Sequence, residues 1–154
     1  WYYICNQVKV SPLKPVSYMD KADVFGLSYK SLNKQRLPSA IDGFLIVELK
    51  KDSFKKAKPG TQKAEEVKSA FSQTMKYVDW VANFRAGGDY SLISAALITG
   101  GFPAELIPYV RTHGKRDYII PRRPYEAKHW ANLKLIEYSV INGEVLLKEV
   151  KVPT

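Results

Sequence analysis

Three side chains carry the chemistry that this sequence can support: Asp23, Glu48 and Lys50. The last two close the run Phe44-Leu45-Ile46-Val47-Glu48-Leu49-Lys50-Lys51. Its apolar first half reads as a strand buried on both faces. Alternation along a strand puts Glu48 and Lys50 on one face, with Val47 and Leu49 on the other. Charges at the end of such a strand are costly to bury alone, so they persist where they meet a metal, a substrate or each other. Taken by itself, Glu-x-Lys is common and reads first as a strand that surfaces at Glu48 with both charges in water. Asp23 lies 25 residues earlier, a span that two strands and a long turn absorb. Asp42 is nearer but falls in an Asp42-Gly43 turn dipeptide, too close to double back on Glu48, and is the second choice. Two carboxylates at low dielectric repel unless a hard cation neutralises them, and oxygen ligands of this kind suit Mg²⁺ or Mn²⁺.

The elements that must position these groups can be read from periodicity and turn chemistry. Residues 1–10 are rich in aromatic and β-branched side chains and read as a strand; Pro12 and Pro15 turn the next segment into an extended linker. Residues 21–31 and 44–51 read as the arms of an antiparallel hairpin with a long polar tip. A Lys-rich loop over 52–60 ends in Pro59-Gly60. From Thr61, an N-cap residue, a helix is expected to about Ala86, stopped by Gly87-Gly88. Val67, Ala70, Phe71, Tyr77, Val78, Val81 and Phe84 recur at helical spacing and form its apolar stripe. Gln73 sits at the edge of that stripe, one turn before Tyr77, where a polar group needs a partner. Residues 90–99 read as a second buried strand, Pro103 as the opening of a helix to about Thr112, and 114–132 as an irregular basic loop. Strands 133–141 and 144–152 close the chain around Asn142-Gly143, the strongest hairpin signal present. The expected fold is therefore a single α/β domain, a mixed sheet flanked by helices.

Lys and Arg number 24 against 15 Asp and Glu, a net charge of +9, which favours an anionic partner, nucleic acid first. The single cysteine, Cys5, excludes an internal disulfide framework and a cysteine-based zinc site, and points to a reducing, intracellular and cytoplasmic setting. No apolar run is long enough to span a membrane. His113 and His129 fit no metal-binding spacing and read as surface residues. The chain starts at Trp1 rather than Met, so a trimmed chain or a piece of a longer protein is expected.

Asp23, then Glu48-Leu49-Lys50, then Gln73-Thr-Met-Lys-Tyr77 on the next helix resembles the PD-(D/E)XK nuclease superfamily, in its RecB-type Gln-x-x-x-Tyr group. The likeness is closest to NucS-type endonuclease domains. It extends through the strand Ala95-Ala-Leu-Ile-Thr-Gly to the late strand Leu133-Lys-Leu-Ile-Glu-Tyr138, with 114–132 as an insertion. The resemblance implies a restriction-endonuclease-like core. It implies a Mg²⁺ or Mn²⁺ ion on Asp23 and Glu48, helped by the backbone carbonyl of Leu49. Lys50 would orient the attacking water and stabilise charge on the phosphate, and Gln73 and Tyr77 would support the site or touch nucleic acid. Two departures are visible: no glutamate precedes Asp23 in residues 1–20, and Ala22 stands where the family places proline.

The implied function is metal-dependent hydrolysis of DNA phosphodiester bonds, with RNA left open as substrate, in repair, restriction or phage defence. Lys51, Lys55, Lys56, Lys115, Arg116, Arg122, Arg123 and Lys128 would hold the phosphate backbone without reading sequence. The alternatives are a non-catalytic nucleic-acid-binding or assembly module on the same fold, and a basic protein-interaction domain of another fold. A homodimer or a larger parent protein is compatible with either.

Overall fold

The structure, a computed structural model, describes residues 21–30, 41–120 and 123–152 in full and residues 3–9 as backbone. In chain order it comprises β1 (Tyr3–Lys9), β2 (Lys21–Tyr29), β3 (Ile41–Lys50), α1 (Gln62–Phe84), β4 (Ile93–Thr99), α2 (Leu106–His113), β5 (Arg116–Ile119), β6 (Ala127–Trp130), β7 (Leu133–Ile141) and β8 (Glu144–Val150). Among the described residues six strands form one mixed sheet in the order β1-β2-β3-β4-β7-β8, and β5 and β6 form a separate pair. β3, β4 and β7 are parallel, while β1, β2 and β8 are antiparallel to their neighbours. The fold is thus mixed α/β. The strand bearing Glu48 is central, with β2 on one side and β4 on the other.

The hairpin of β2 and β3 has the expected antiparallel direction. Asp42 and Gly43 are not in a turn: both lie within β3, and Gly43 pairs with Ser28. The connection itself falls outside the described residues, as does the linker assigned to Pro12 and Pro15. Beyond β3, residues 51–57 are fastened to the end of β4: Phe54 N–H donates to the Gly101 carbonyl (2.8 Å) and Gly100 N–H to that of Asp52 (3.1 Å). Gly100 allows this approach, since a Cβ there would lie 3.3 Å from the Ser53 backbone.

α1 begins where Thr61 caps it, the Ala64 N–H donating to the threonine hydroxyl (3.4 Å). It ends at Gly87 and Gly88, both at positive φ, where the Gly88 N–H reaches back to the Ala82 carbonyl (2.8 Å). Val67, Ala70, Phe71, Tyr77, Val78 and Val81 are buried as the periodicity predicts, whereas Phe84, on the last turn, is 55% exposed. This stripe packs on Phe44, Ile46, Ala95, Leu97 and Leu135 in one cluster, joined by Leu106 and Val110 of α2. Tyr109 of α2 stands edge-on to Phe71 of α1 at 5.5 Å. Both helices thus contribute to one cluster on a single face of the sheet. On the opposite face Val47 and Ala96 are buried outside that cluster, while Leu49 is 45% exposed. α2 starts three residues after Pro103, whose carbonyl accepts from the Leu106 N–H (3.0 Å), so the proline leads into the helix rather than opening it.

The segment 114–132 is not wholly irregular, since it contains two short strands. β5 and β6 pair from Arg116↔Trp130 to Ile119↔Ala127. The pair is held to the body by Trp130, whose indole N–H donates to the Ile93 carbonyl (2.8 Å), and by Tyr118 against Tyr90. Four-residue strands flanking Pro121 and Pro124 carry too little periodicity to be read in the sequence. No helix among the described residues is long and apolar enough to cross a membrane.

Candidate active site at the end of strands 2 and 3

The ladder between β2 and β3 runs to Val24↔Val47, and the next pair in that register is Asp23 opposite Glu48. Both side chains therefore leave the sheet on the same face. The Asp23 carboxylate accepts a hydrogen bond from the backbone N–H of Leu49 (2.8 Å), so a side chain takes a donor that the ladder would otherwise use. On the other side β3 stays in register with β4 through Glu48↔Leu97 to Lys50↔Thr99. Glu48 is thus set rigidly from one flank and faces a carboxylate on the other.

Glu48 is 3% exposed. One carboxylate oxygen, Oε1, meets the Lys50 ammonium at 3.0 Å; the other, Oε2, is buried with no hydrogen-bond partner among the described residues. Burial raises the Glu48 pKa above its ordinary value and the Asp23 charge adds to the rise, opposed by the hydrogen bond and charge of Lys50. A carboxylate that is buried, half-paired and beside a second negative charge is destabilising unless a cation arrives.

That cost has a pH dependence. Below the ordinary value of 4.5 Glu48 is protonated in folded and unfolded chains alike. As pH rises through that value the unfolded chain releases its proton first, so the folded state holds more protons and stability falls until the raised folded pKa is passed. We predict that Glu48→Gln, melted in chelator from about pH 4 to neutrality, gains stability relative to the wild type across this window. A pH-independent difference between the two would mean that Glu48 carries no strained charge.

Asp23, Val24, Leu49, Lys50, Lys51, Asp52 and Glu66 line an open cleft of about 620 Å³. Asp52 and Glu66 are not among the residues expected from the sequence. Glu66 is the fifth residue of α1, just beyond its first turn, and only the packing of that helix on β3 and β4 brings it over the strand ends. Among the described residues no three His, Cys, Asp or Glu side chains are grouped closely enough to hold a metal by themselves. A cation here would rest on Asp23 and Glu48 with oxygens from water or substrate, which is how Mg²⁺ is usually held.

Gln73 and Tyr77 do not line the cleft; they brace it. Tyr77 is 1% exposed and its hydroxyl donates to the Lys21 carbonyl (3.1 Å), two residues before Asp23. The Gln73 amide donates to the same phenolic oxygen. Together they tie the middle of α1 to the start of β2.

The basic residues divide. Lys51 lines the cleft. Lys56, Lys115 and Arg123 are exposed. Lys55 is paired with Glu137 (2.8 Å) and Lys128 with Glu126 (3.0 Å). Arg116 grips both oxygens of Asp79, at 2.8 and 2.9 Å, and donates to the carbonyls of His113 and Lys115. It is therefore a strut between α1 and β5, in an engagement that leaves little of its guanidinium for a phosphate. Arg122 lies outside the described residues. Both histidines are exposed as expected, His113 stacked on Tyr109 and His129 against Asp117 (2.8 Å).

No protein-family model matches this chain, and no curated protein or solved structure matches it either.

Proposed function

We propose that the protein is a metal-dependent nuclease that hydrolyses phosphodiester bonds of DNA in the cleft at the ends of β2 and β3. One observation carries the reading: Asp23, Lys50 and the buried, half-paired Glu48 meet at one place. A protein that only holds nucleic acid has no use for two mutually repelling carboxylates beneath its binding surface. Asp52 and Glu66 on the rim point the same way, because they attract a cation and repel phosphate alone. In this reading the chain falls in the PD-(D/E)XK superfamily, with a restriction-endonuclease-like core and the Gln73-x-x-x-Tyr77 helix of the RecB-type group.

Asp23 and Glu48 would hold Mg²⁺ or Mn²⁺, with the Leu49 backbone at the same corner. When bound, the ion supplies Lewis-acid polarisation of the phosphate and a more acidic water. Lys50, which pairs with Glu48 and lines the cleft, would stabilise negative charge on the attacked phosphate and orient the incoming water. Gln73 and Tyr77 position the strand that carries Asp23. Lys51 and the exposed Lys56, Lys115 and Arg123 supply sequence-independent phosphate contacts.

The test is cation-dependent melting together with cleavage. The wild type should gain thermal stability from Mn²⁺ in excess over its dissociation constant, by about 3 kcal/mol at a hundredfold excess. It should also cut single-stranded, flapped or duplex DNA, and chelator should abolish the cutting. A protein that binds DNA while melting identically with and without Mn²⁺ is the non-catalytic module instead.

A further inference from the structure

β7 and β8 outrun the rest of the sheet. The parallel pairing of β4 with β7 ends at Thr99↔Glu137, and from Ser139 to Glu149 every residue is exposed. Val140, Ile141, Val145, Leu146 and Leu147, clustered at the tip, are 61%, 53%, 65%, 48% and 62% exposed. β8 is also the terminal strand, and its outer edge meets no other strand among the described residues. An apolar edge with open backbone donors and acceptors is a template for another strand.

The sequence of β8 indicates which strand. We infer that β8 pairs antiparallel with β8 of a second copy, about a two-fold axis through Leu146, joining two sheets edge to edge. In that register Leu146 faces its own copy, Val145 faces Leu147, and Glu144 faces Lys148, twice over by symmetry. Shifting the centre to Val145 or Leu147 sets each of these charges against an apolar residue or a turn residue. A centre between Leu146 and Leu147 sets Glu144 against Glu149. Of the registers centred from Val145 to Leu147, only the one on Leu146 matches opposite charges.

Backbone geometry agrees. In a two-residue hairpin the flanking pair, Ile141 and Glu144, exchanges both of its hydrogen bonds, so Val145 and Leu147 turn theirs to the free edge. Val145 and Leu147 are the residues that must bond across the two-fold. Glu144 and Lys148 then fall at non-hydrogen-bonded sites, where opposing side chains lie closest. Both charges are available within the chain: the residue opposite Lys148 on β7 is Glu137, and Lys55 holds it at 2.8 Å. Glu149 is likewise taken, by Lys134 at 3.0 Å, while Glu144 and Lys148 have no ion pair among the described residues. This inference does not depend on the nuclease reading.

Light scattering and sedimentation on purified protein at tens of micromolar test it by charge swap. The wild type should be a dimer. Lys148→Glu and Glu144→Lys should each weaken association at least about tenfold, because two attractive pairs become two repulsive ones. The double variant Glu144→Lys/Lys148→Glu restores the pairs and should restore the dimer, which a folding defect would not do. A monomeric wild type, or a dimer indifferent to the single reversals, overturns the proposal. A double variant that remains monomeric overturns the register on which it rests.

Discussion

Glu48→Gln should abolish Mg²⁺- or Mn²⁺-dependent cleavage of DNA while leaving DNA binding intact. The substitution keeps the size of a side chain that is 3% exposed, but removes the charge that a cation needs. Asp23→Asn should behave in the same way, since Asp23 faces Glu48 in the strand register and its charge already raises the Glu48 pKa. Lys50→Ala should lower turnover by roughly 10²–10³-fold, the usual cost of removing one group that stabilises developing charge. Unlike the other two, it should keep the stabilisation by Mn²⁺, because no ligand is lost. Asp42→Asn should cut at the wild-type rate. Asp42 lies six residues back along β3, about 20 Å from Glu48, and accepts a hydrogen bond from Ser28 instead. The assay is cleavage of single-stranded, flapped and duplex DNA, paired with a binding measurement in chelator. Full activity in Glu48→Gln removes the nuclease assignment from these residues.

The second large effect is expected where no substrate reaches. Tyr77→Phe deletes the hydroxyl that bonds Lys21 and Gln73, leaving the Lys21 carbonyl without that donor. Loss of a buried hydrogen bond with a partner left behind costs about 1–3 kcal/mol. Tyr77→Ala adds a cavity beneath the sheet, and large-to-small changes of aromatic residues in cores cost about 3–5 kcal/mol. Denaturant titration measures both. The phenylalanine variant is the informative one, because it remains folded. If the tyrosine serves to hold the start of β2, cation affinity falls along with stability, since Asp23 is two residues from the bonded carbonyl. If Tyr77 is merely core, stability drops and Mn²⁺ affinity does not move.

How much of this was legible in the sequence depends on the range over which each cause acts. Local causes were readable. Thr61 and Gly87-Gly88 bound α1 through bonds within a turn of themselves, and Asn142-Gly143 makes its hairpin because φ is positive at both residues. Alternation placed Glu48 and Lys50 on one face, and spacing favoured Asp23 over Asp42, in agreement with the register. The turn assigned to Asp42-Gly43 failed for the complementary reason. A dipeptide that suits a tight turn is absorbed into a strand when a neighbouring strand offers it a ladder, as Ser28 does for Gly43.

Only the tertiary structure decided the pairings between distant segments. The sequence shows Arg116 as one more cation; packing of β5 against α1 gives it Asp79, 37 residues away, and makes it a strut. Glu66 reads as a solvated residue at a helix start, and comes over the strand ends only because α1 crosses β3 and β4. The order that sets β4 between β3 and β7, burying Glu48 and depriving one of its oxygens of a partner, is likewise a property of the assembled sheet. Side-chain type and spacing establish which groups could do chemistry. Desolvation and proximity, which give those groups their energies, exist only once the chain has folded.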